Sequence, residues 1–261
     1  MASDVQSTWQ ESAFVKMHRT WPGLLLAGVL AAQSPITAPG TEGIVARMGV
    51  AQAESRAHLR PFAVVRDYKL FGKEMQTTQS EVVASIRYDP PDVQRYVIQK
   101  VNGLGLGELI VRKILESEND VLTHQSASDI SAANYAFSFL REEILEGRPC
   151  YVLALRPLRK DARLLRGTIW VDAASYLVHR IEGQPAKPPS WWVHDIHLVL
   201  ELREVNGMWL QTALQSTANV RLLGQHTLIS RDTAYQMSGL EASGEASSGA
   251  KISSALISSA P

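Results

Sequence analysis

Along most of the chain the apolar residues alternate with polar ones, and only two stretches recur at helical spacing. FAVVRDYKLFG, SEVVASIRYDPP and QRYVIQKVNG are rich in β-branched and aromatic residues. They end at Gly72, Pro90-Pro91 and Asn102-Gly103, the signature of three successive strands. In GLGLGELIVRKILESENDVL the period switches, and Ile110, Ile114 and Leu115 fit a helix. An earlier helix is predicted from Glu42 to Leu59, where Ile44, Val45, Met48, Ala51 and Leu59 approximate one face; Gln52 and Ser55 interrupt it and Pro61 ends it. Strands then resume. NYAFSFLREEILEGRPCYVLALRPL turns near Glu146-Gly147, and RGTIWVDAASYLVHRIEG reads as a hairpin. SWWVHDIHLVLELREVNGMWLQTALQSTANVRLL carries Asn206-Gly207 between two apolar-rich runs, a strong hairpin signal, and GQHTLISRDTAYQ forms a last strand.

Helix, three strands, a helical interruption, then six or more strands is an α+β layout with an antiparallel sheet. The Arg166–Gly183 hairpin narrows it further. Ile169 and Val171 fall on one face, and Thr168 and Trp170 on the other, so both faces carry apolar side chains. A strongly curved sheet, an unclosed half-barrel covered by a few helices, accounts for this. One face packs on helices while the other turns inward at its edges, leaving an apolar cavity.

The ends of the chain read differently. Lys16, His18 and Arg19 precede the nine-residue apolar run Leu24–Ala32, followed by small residues at Ala31, Ala32 and Ser34. This is the build of a secretory signal peptide over residues 1–34, with Met17 as an alternative start. No Cys follows the run to accept a lipid, so the expected product is a periplasmic or secreted protein without its own anchor. Residues 35–43 read as a linker, 44–239 as the folded domain, and 240–261 as a disordered Ser/Ala-rich tail.

Composition removes several chemistries. Lys+Arg and Asp+Glu are 26 each, which gives no electrostatic reason to expect nucleic acid. The densest basic group (Arg156, Arg159, Lys160, Arg163, Arg166) reads as a solvated loop. The single cysteine, Cys150, excludes an internal disulfide and sits in a strand-like run as a small buried hydrophobe. Gly103, Gly105 and Gly107 miss the dinucleotide spacing, because Glu108 stands where a glycine is needed. His194 and His197, three apart on a strand, are expected on opposite faces and unable to share a metal. Asp172 suits an Asx turn, and no Gly-x-Ser-x-Gly elbow is present. What remains is aromatic and aliphatic: Trp170, Trp191, Trp192, Trp209, Tyr135, Phe137, Phe139, Tyr96 and Tyr151 all fall on predicted strands.

The run VVRDYKLFG – VVASIRYDPP – RYVI – helix – GR.CYVLALRP – GTIWVD..SY.V.RIEG – V.G.WL resembles the lipoprotein-carrier superfamily, LolA/LolB-like and RseB-like, over about Glu42 to Gly239. The carriers' Arg-Pro pair after the third strand has no counterpart here; the nearest match is Asp89-Pro90, with Arg87 two residues earlier. The resemblance implies an open barrel that holds acyl chains, with no enzyme activity, cofactor or metal. Its partners would be lipid or lipoprotein acyl chains and a donor or acceptor membrane protein. Cavity candidates are Tyr96, Ile110, Ile114, Phe137, Phe139, Trp170, Trp192 and Trp209. Two other readings stand beside it: an RseB-like envelope-stress sensor binding a membrane regulator, and a hydrolase using His194 with Asp195.

Overall fold

In the computed structural model, which describes residues 40–103, 105–188, 191 and 193–237, the alternating runs become ten strands. Helix α1 (Thr41–Ala57) leads into β1 (Phe62–Phe71), β2 (Thr78–Asp89) and β3 (Val93–Gly103). Helices α2 (Gly105–Thr123) and α3 (Gln125–Ser128) follow. The chain then runs through β4 (Tyr135–Leu145), β5 (Arg148–Pro157), β6 (Leu165–Asp172), β7 (Val178–Pro185), β8 (Val193–Val205), β9 (Met208–Val220) and β10 (Gly224–Met237). The expected leader, linker start and Ser/Ala-rich tail lie outside the described residues.

The strands form one antiparallel sheet in the order β3-β2-β1-β10-β9-β8-β7-β6-β5-β4. It is not closed into a barrel, so the expected α+β fold with an unclosed sheet holds. β3 and β4 are consecutive in sequence but occupy the two free edges, and α2 and α3 carry the chain between them. Each edge strand carries an extra residue, Gln99 in β3 and Leu140 in β4, where the register with its neighbour shifts.

The pairing places one row of residues directly opposite one another across all ten strands. It runs Phe139, Leu153, Ile169, Ile181, Leu200, Leu214, Ser230, Tyr68, Val82 and Val101. Residues directly opposite share a face, so this row defines one nearly continuous apolar face. Both long helices cover it. Val111 and Leu115 of α2 pack with Tyr68, Val82 and Ile86 in one core, and Ile44 and Met48 of α1 pack with Leu153, Ile169 and Val171 in a second. Each such side chain, fully buried, contributes about 1.5–3 kcal/mol. α2 is amphipathic, with Val111 and Leu115 on its buried face, whereas α1 is anchored by Ile44 and Met48 alone.

One row along, Gly167 of β6 faces Gly183 of β7. A β-carbon on either would meet the partner strand's backbone, the Glu182 carbonyl for Gly167 and the Arg166 carbonyl for Gly183. The pair lets two strands approach more closely than side chains would permit, a device that bends sheets. The expected hairpin turn at Asn206-Gly207 is present, with φ of 51° and 77°. Trp191 departs from expectation. It precedes β8 and is 79% exposed, because the Pro-rich segment before it cannot continue β7.

Gly167→Ala is expected to destabilise the fold by about 3 kcal/mol, since its neighbour is backbone and cannot yield. Gly49→Ala, on an exposed turn of α1 with open space around it, is expected to stabilise by about 0.5–1 kcal/mol. Urea unfolding of the two variants beside the parent measures both.

Candidate functional site: the inner face between two cores

Three features meet on the helix-covered face. The first is the pair of cores just described. The second is a buried charge cluster in the first core. The Arg66 guanidinium from β1 is 8% exposed; its Nε lies 2.5 Å from Asp232 Oδ1 on β10, and its Nη1 lies 3.1 Å from both Glu118 oxygens on α2. The Tyr235 hydroxyl donates to Asp232 Oδ2 at 2.6 Å. Burial opposes the charge on Arg66, but Glu118 and Asp232 outweigh it and hold the guanidinium protonated. Burial also pushes the Tyr68 and Tyr235 hydroxyls well above the ordinary range, so both stay neutral. The Tyr68 hydroxyl has no hydrogen-bond partner among the described residues. The cluster pins α2 to the seam where β1 meets β10.

The third feature is what the helices leave uncovered. α2 lies along β1, β2 and β3, and α1 approaches β4; among the described residues neither makes a comparable approach to β8 or β9. Every residue from Leu198 to Arg203 is half-buried. Leu200 and Leu202 touch only the margin of the second core, and Leu198 stands opposite Ser216. The result is an apolar strip between the cores with small residues beside it.

The predicted cavity residues distribute unevenly around this strip. Tyr96, Ile110 and Ile114 pack against the first core, and Phe137 packs against the second. Phe139 sits on the same face at the β4 edge, 42% exposed. Trp209 is half-buried and donates its indole N–H to the Val178 carbonyl at 2.8 Å, with His179 edge-on to its ring. Trp192 lies outside the described residues.

Trp170 is on the wrong face for a cavity residue. It packs with Cys150, Val152 and Leu145 on the outer face, beneath the Arg180 guanidinium 5.4 Å from its ring centroid. Strand alternation alone separates Trp170 from Ile169, so the apolar content of both faces means two clusters, one on each side. Leu198, Leu200 and Leu202, which form the strip, were not among the predicted cavity residues. Their alternation was visible, but nothing local said that no helix would cover them.

Polar candidates resolve differently. An extra residue in β8, with Asp195 at φ 51°, resets the alternation. His194 pairs with Asn219 and His197 with Thr217, so the two histidines share a face, contrary to expectation. Each has its own carboxylate, Asp195 at 3.7 Å and Glu182 at 3.3 Å. Among the described residues no group of three or more His, Cys, Asp or Glu could hold a metal. Asp172 makes the expected Asx turn, accepting from Ala174 N and Ser175 N at 3.0 and 2.7 Å. Cys150 is buried, and burial raises its thiol pKa. The basic loop is more than solvated: Arg159 donates to Asn134 Oδ1 at 2.7 Å and to the Ala127 carbonyl. Two open surface depressions, of about 230 and 260 Å³, are lined by β4–β5 and by the end of β7 with His194–Ile196 of β8, and neither is lined by Leu198, Leu200 or Leu202.

No family model matches the chain. No curated protein matches it either. Among solved structures, it is similar to an outer membrane lipoprotein-sorting protein domain from Vibrio parahaemolyticus, at 14% identity over 75% of this chain and 94% of that one, with a TM-score of 0.39. It is similar to a DUF1329 family protein from Desulfovibrio piger, at 13% identity over 75% and 93%, TM-score 0.40. It is also similar to a LolA superfamily protein from Nitrosomonas europaea, at 10% identity over 77% and 94%, TM-score 0.34.

Asp232→Ala leaves Arg66 buried with one carboxylate instead of two and is expected to cost about 3–5 kcal/mol in denaturant unfolding. A separate signature comes from His179, 5% exposed, whose pKa is lowered by burial. The unfolded chain then binds its proton more readily than the folded one. Stability is therefore full above the unfolded pKa of about 6.5 and declines as pH falls below it. His179→Gln should flatten that part of the stability–pH profile.

Proposed function

We propose that the chain is a non-enzymatic binder of acyl chains, exported behind its leader and carrying lipid or lipoprotein tails between membranes. The observation that carries the reading is the apolar strip along β8, where Leu198, Leu200 and Leu202 are only half-buried at the margin of the second core. An isolated exposed leucine needs no explanation, but a row of them on an inner face leaves apolar surface for a ligand to cover. The charged groups on that face, Arg66, Asp232 and Glu118, satisfy one another, so the strip can take a hydrocarbon without leaving a new charge unpaired. Phe137 and Phe139 on the β4 side, and Tyr96, Ile110 and Ile114 on the α2 side, would flank the ligand.

The driving force is removal of methylene groups from water, about 0.8 kcal/mol each. A tail burying on the order of ten of them gains roughly 8 kcal/mol before ordering costs. The strip is shallow, which suits a cargo that must be released as well as held.

Titration with a fluorescent fatty acid, paired with native mass spectrometry, tests this. Leu200→Glu puts a carboxylate in the middle of the strip and is expected to weaken uptake at least about tenfold while the protein stays folded by circular dichroism. Trp170→Phe, on the outer face, should leave uptake unchanged. No uptake by the parent protein, or equal uptake by Leu200→Glu, overturns the proposal.

A further inference from the structure

The two ends of the sheet differ in a way that the inner face does not use. At one end emerge the β1–β2, β5–β6, β7–β8 and β9–β10 connections, whose described residues are 72–77, 158–164, 186–188 with 191, and 221–223. Each of the four exposes a large apolar side chain: Met75 at 44%, Leu158 at 59%, Trp191 at 79%, and Leu222 and Leu223 at 100% and 56%. At the opposite end, the connections 58–61, 90–92, 146–147, 173–177 and 206–207 themselves expose none, and the exposed apolar side chains there, Ile144 at 74% and Val93 at 39%, sit in the strands beside them.

Charge follows the same division. The four connections hold six Lys or Arg against two acids, in a chain whose overall balance is zero. The opposite connections hold one Arg against two acids. Arg159 and Arg163 are engaged with Asn134 and Asp161, but among the described residues no ion pair holds Lys73, Lys160, Lys187 or Arg221.

The tips are also costly to form. Leu222 has φ 71° and Met75 has φ 50°, the left-handed region that a side chain with a β-carbon disfavours. Glycine would fit either turn with less strain. Leu222, fully exposed, recovers nothing by packing within the fold. The Arg221 guanidinium lies 5.5 Å from the Trp191 ring centroid, so the β7–β8 and β9–β10 tips are neighbours that present an amphipathic ring beside a cation.

We propose that this end of the sheet docks on an anionic lipid bilayer, with Trp191, Leu222 and Leu223 entering the interface while Lys187 and Arg221 meet lipid phosphates. Apolar tips alone would suit a protein partner equally well. The unpaired cations around them favour a surface of phosphates, and Trp beside Arg is the pairing that partitions to a headgroup layer. Binding of this kind combines shallow apolar insertion with electrostatic attraction and weakens with salt. The proposal extends the acyl-chain reading by naming the surface that approaches the membrane, and it rests on different residues.

Vesicle co-sedimentation of the full chain tests it, using phosphatidylcholine vesicles with and without about a third phosphatidylglycerol. The parent protein is expected to bind the anionic vesicles and to release as salt rises from about 0.1 M to about 1 M, where the screening length falls from roughly 10 Å to roughly 3 Å. The triple variant Trp191→Ser, Leu222→Gly, Leu223→Ser should bind at least about tenfold more weakly, and Lys187→Glu with Arg221→Glu likewise. Leu222→Gly relieves the left-handed backbone, so the triple variant should fold; its fatty-acid uptake should match the parent's. Ile144→Ser, at the opposite end, should bind vesicles normally. No binding of the parent to anionic vesicles overturns the proposal, as does equal binding by both rim variants. Loss of a co-purifying membrane protein in the rim variants, without any vesicle binding by the parent, overturns it in favour of a protein partner.

Discussion

A sheet of ten strands that stops short of closing has an inner apolar row it cannot cover with itself. In a closed barrel, opposite walls bury one another. Here β3 and β4 stay apart, and two helices must do what the missing contact would have done. Among the described residues α2 lies along β1 to β3, and α1 approaches β4. Cover is therefore fullest over the strands next to the helices and thinner along β8. The two separate cores and the half-buried leucines beside them follow from that one shortfall.

The buried Arg66 cluster fits the same constraint. A helix lying across the β1–β3 end of the sheet has no strand partners to fix its position, and apolar contact alone is non-directional. An ion-paired guanidinium is directional. It ties α2 through Glu118 to the β1–β10 junction, the place where the first and last strands of the chain meet. Its merit is placement more than net stabilisation, because burying such charges is expensive. Tyr68, Asp232 and Tyr235 complete its surroundings from both strands.

The strand order of polarity in the sequence carried the architecture a long way. Strand and helix positions, the Asn206-Gly207 turn, the Asp172 Asx turn and the two-faced hairpin were all readable, because each depends on a handful of adjacent residues. The site was less so. Trp170 looks like Ile169 to any measure of hydrophobicity, and only the pairing with Val152 and Arg180 places it outside. His194 and His197 change sides through one extra residue, which alternation cannot foresee. Leu198, Leu200 and Leu202 alternate as core residues of any strand do, and their partial exposure depends on where helices distant in sequence come to rest. Local rules see a residue's neighbours along the chain, and coverage is settled by neighbours across it.

The free edges themselves have a consequence for life in a concentrated compartment. β3 presents Val93 and Val97 to solvent, an inviting template for another chain's strand. Gln99 and Leu140 break the regular spacing of each edge, and Arg141, Glu142 and Glu143 line the second with charge. An incoming strand could match only a few consecutive backbone groups before falling out of step. The same irregularity thus guards the sheet against pairing edge to edge into fibres.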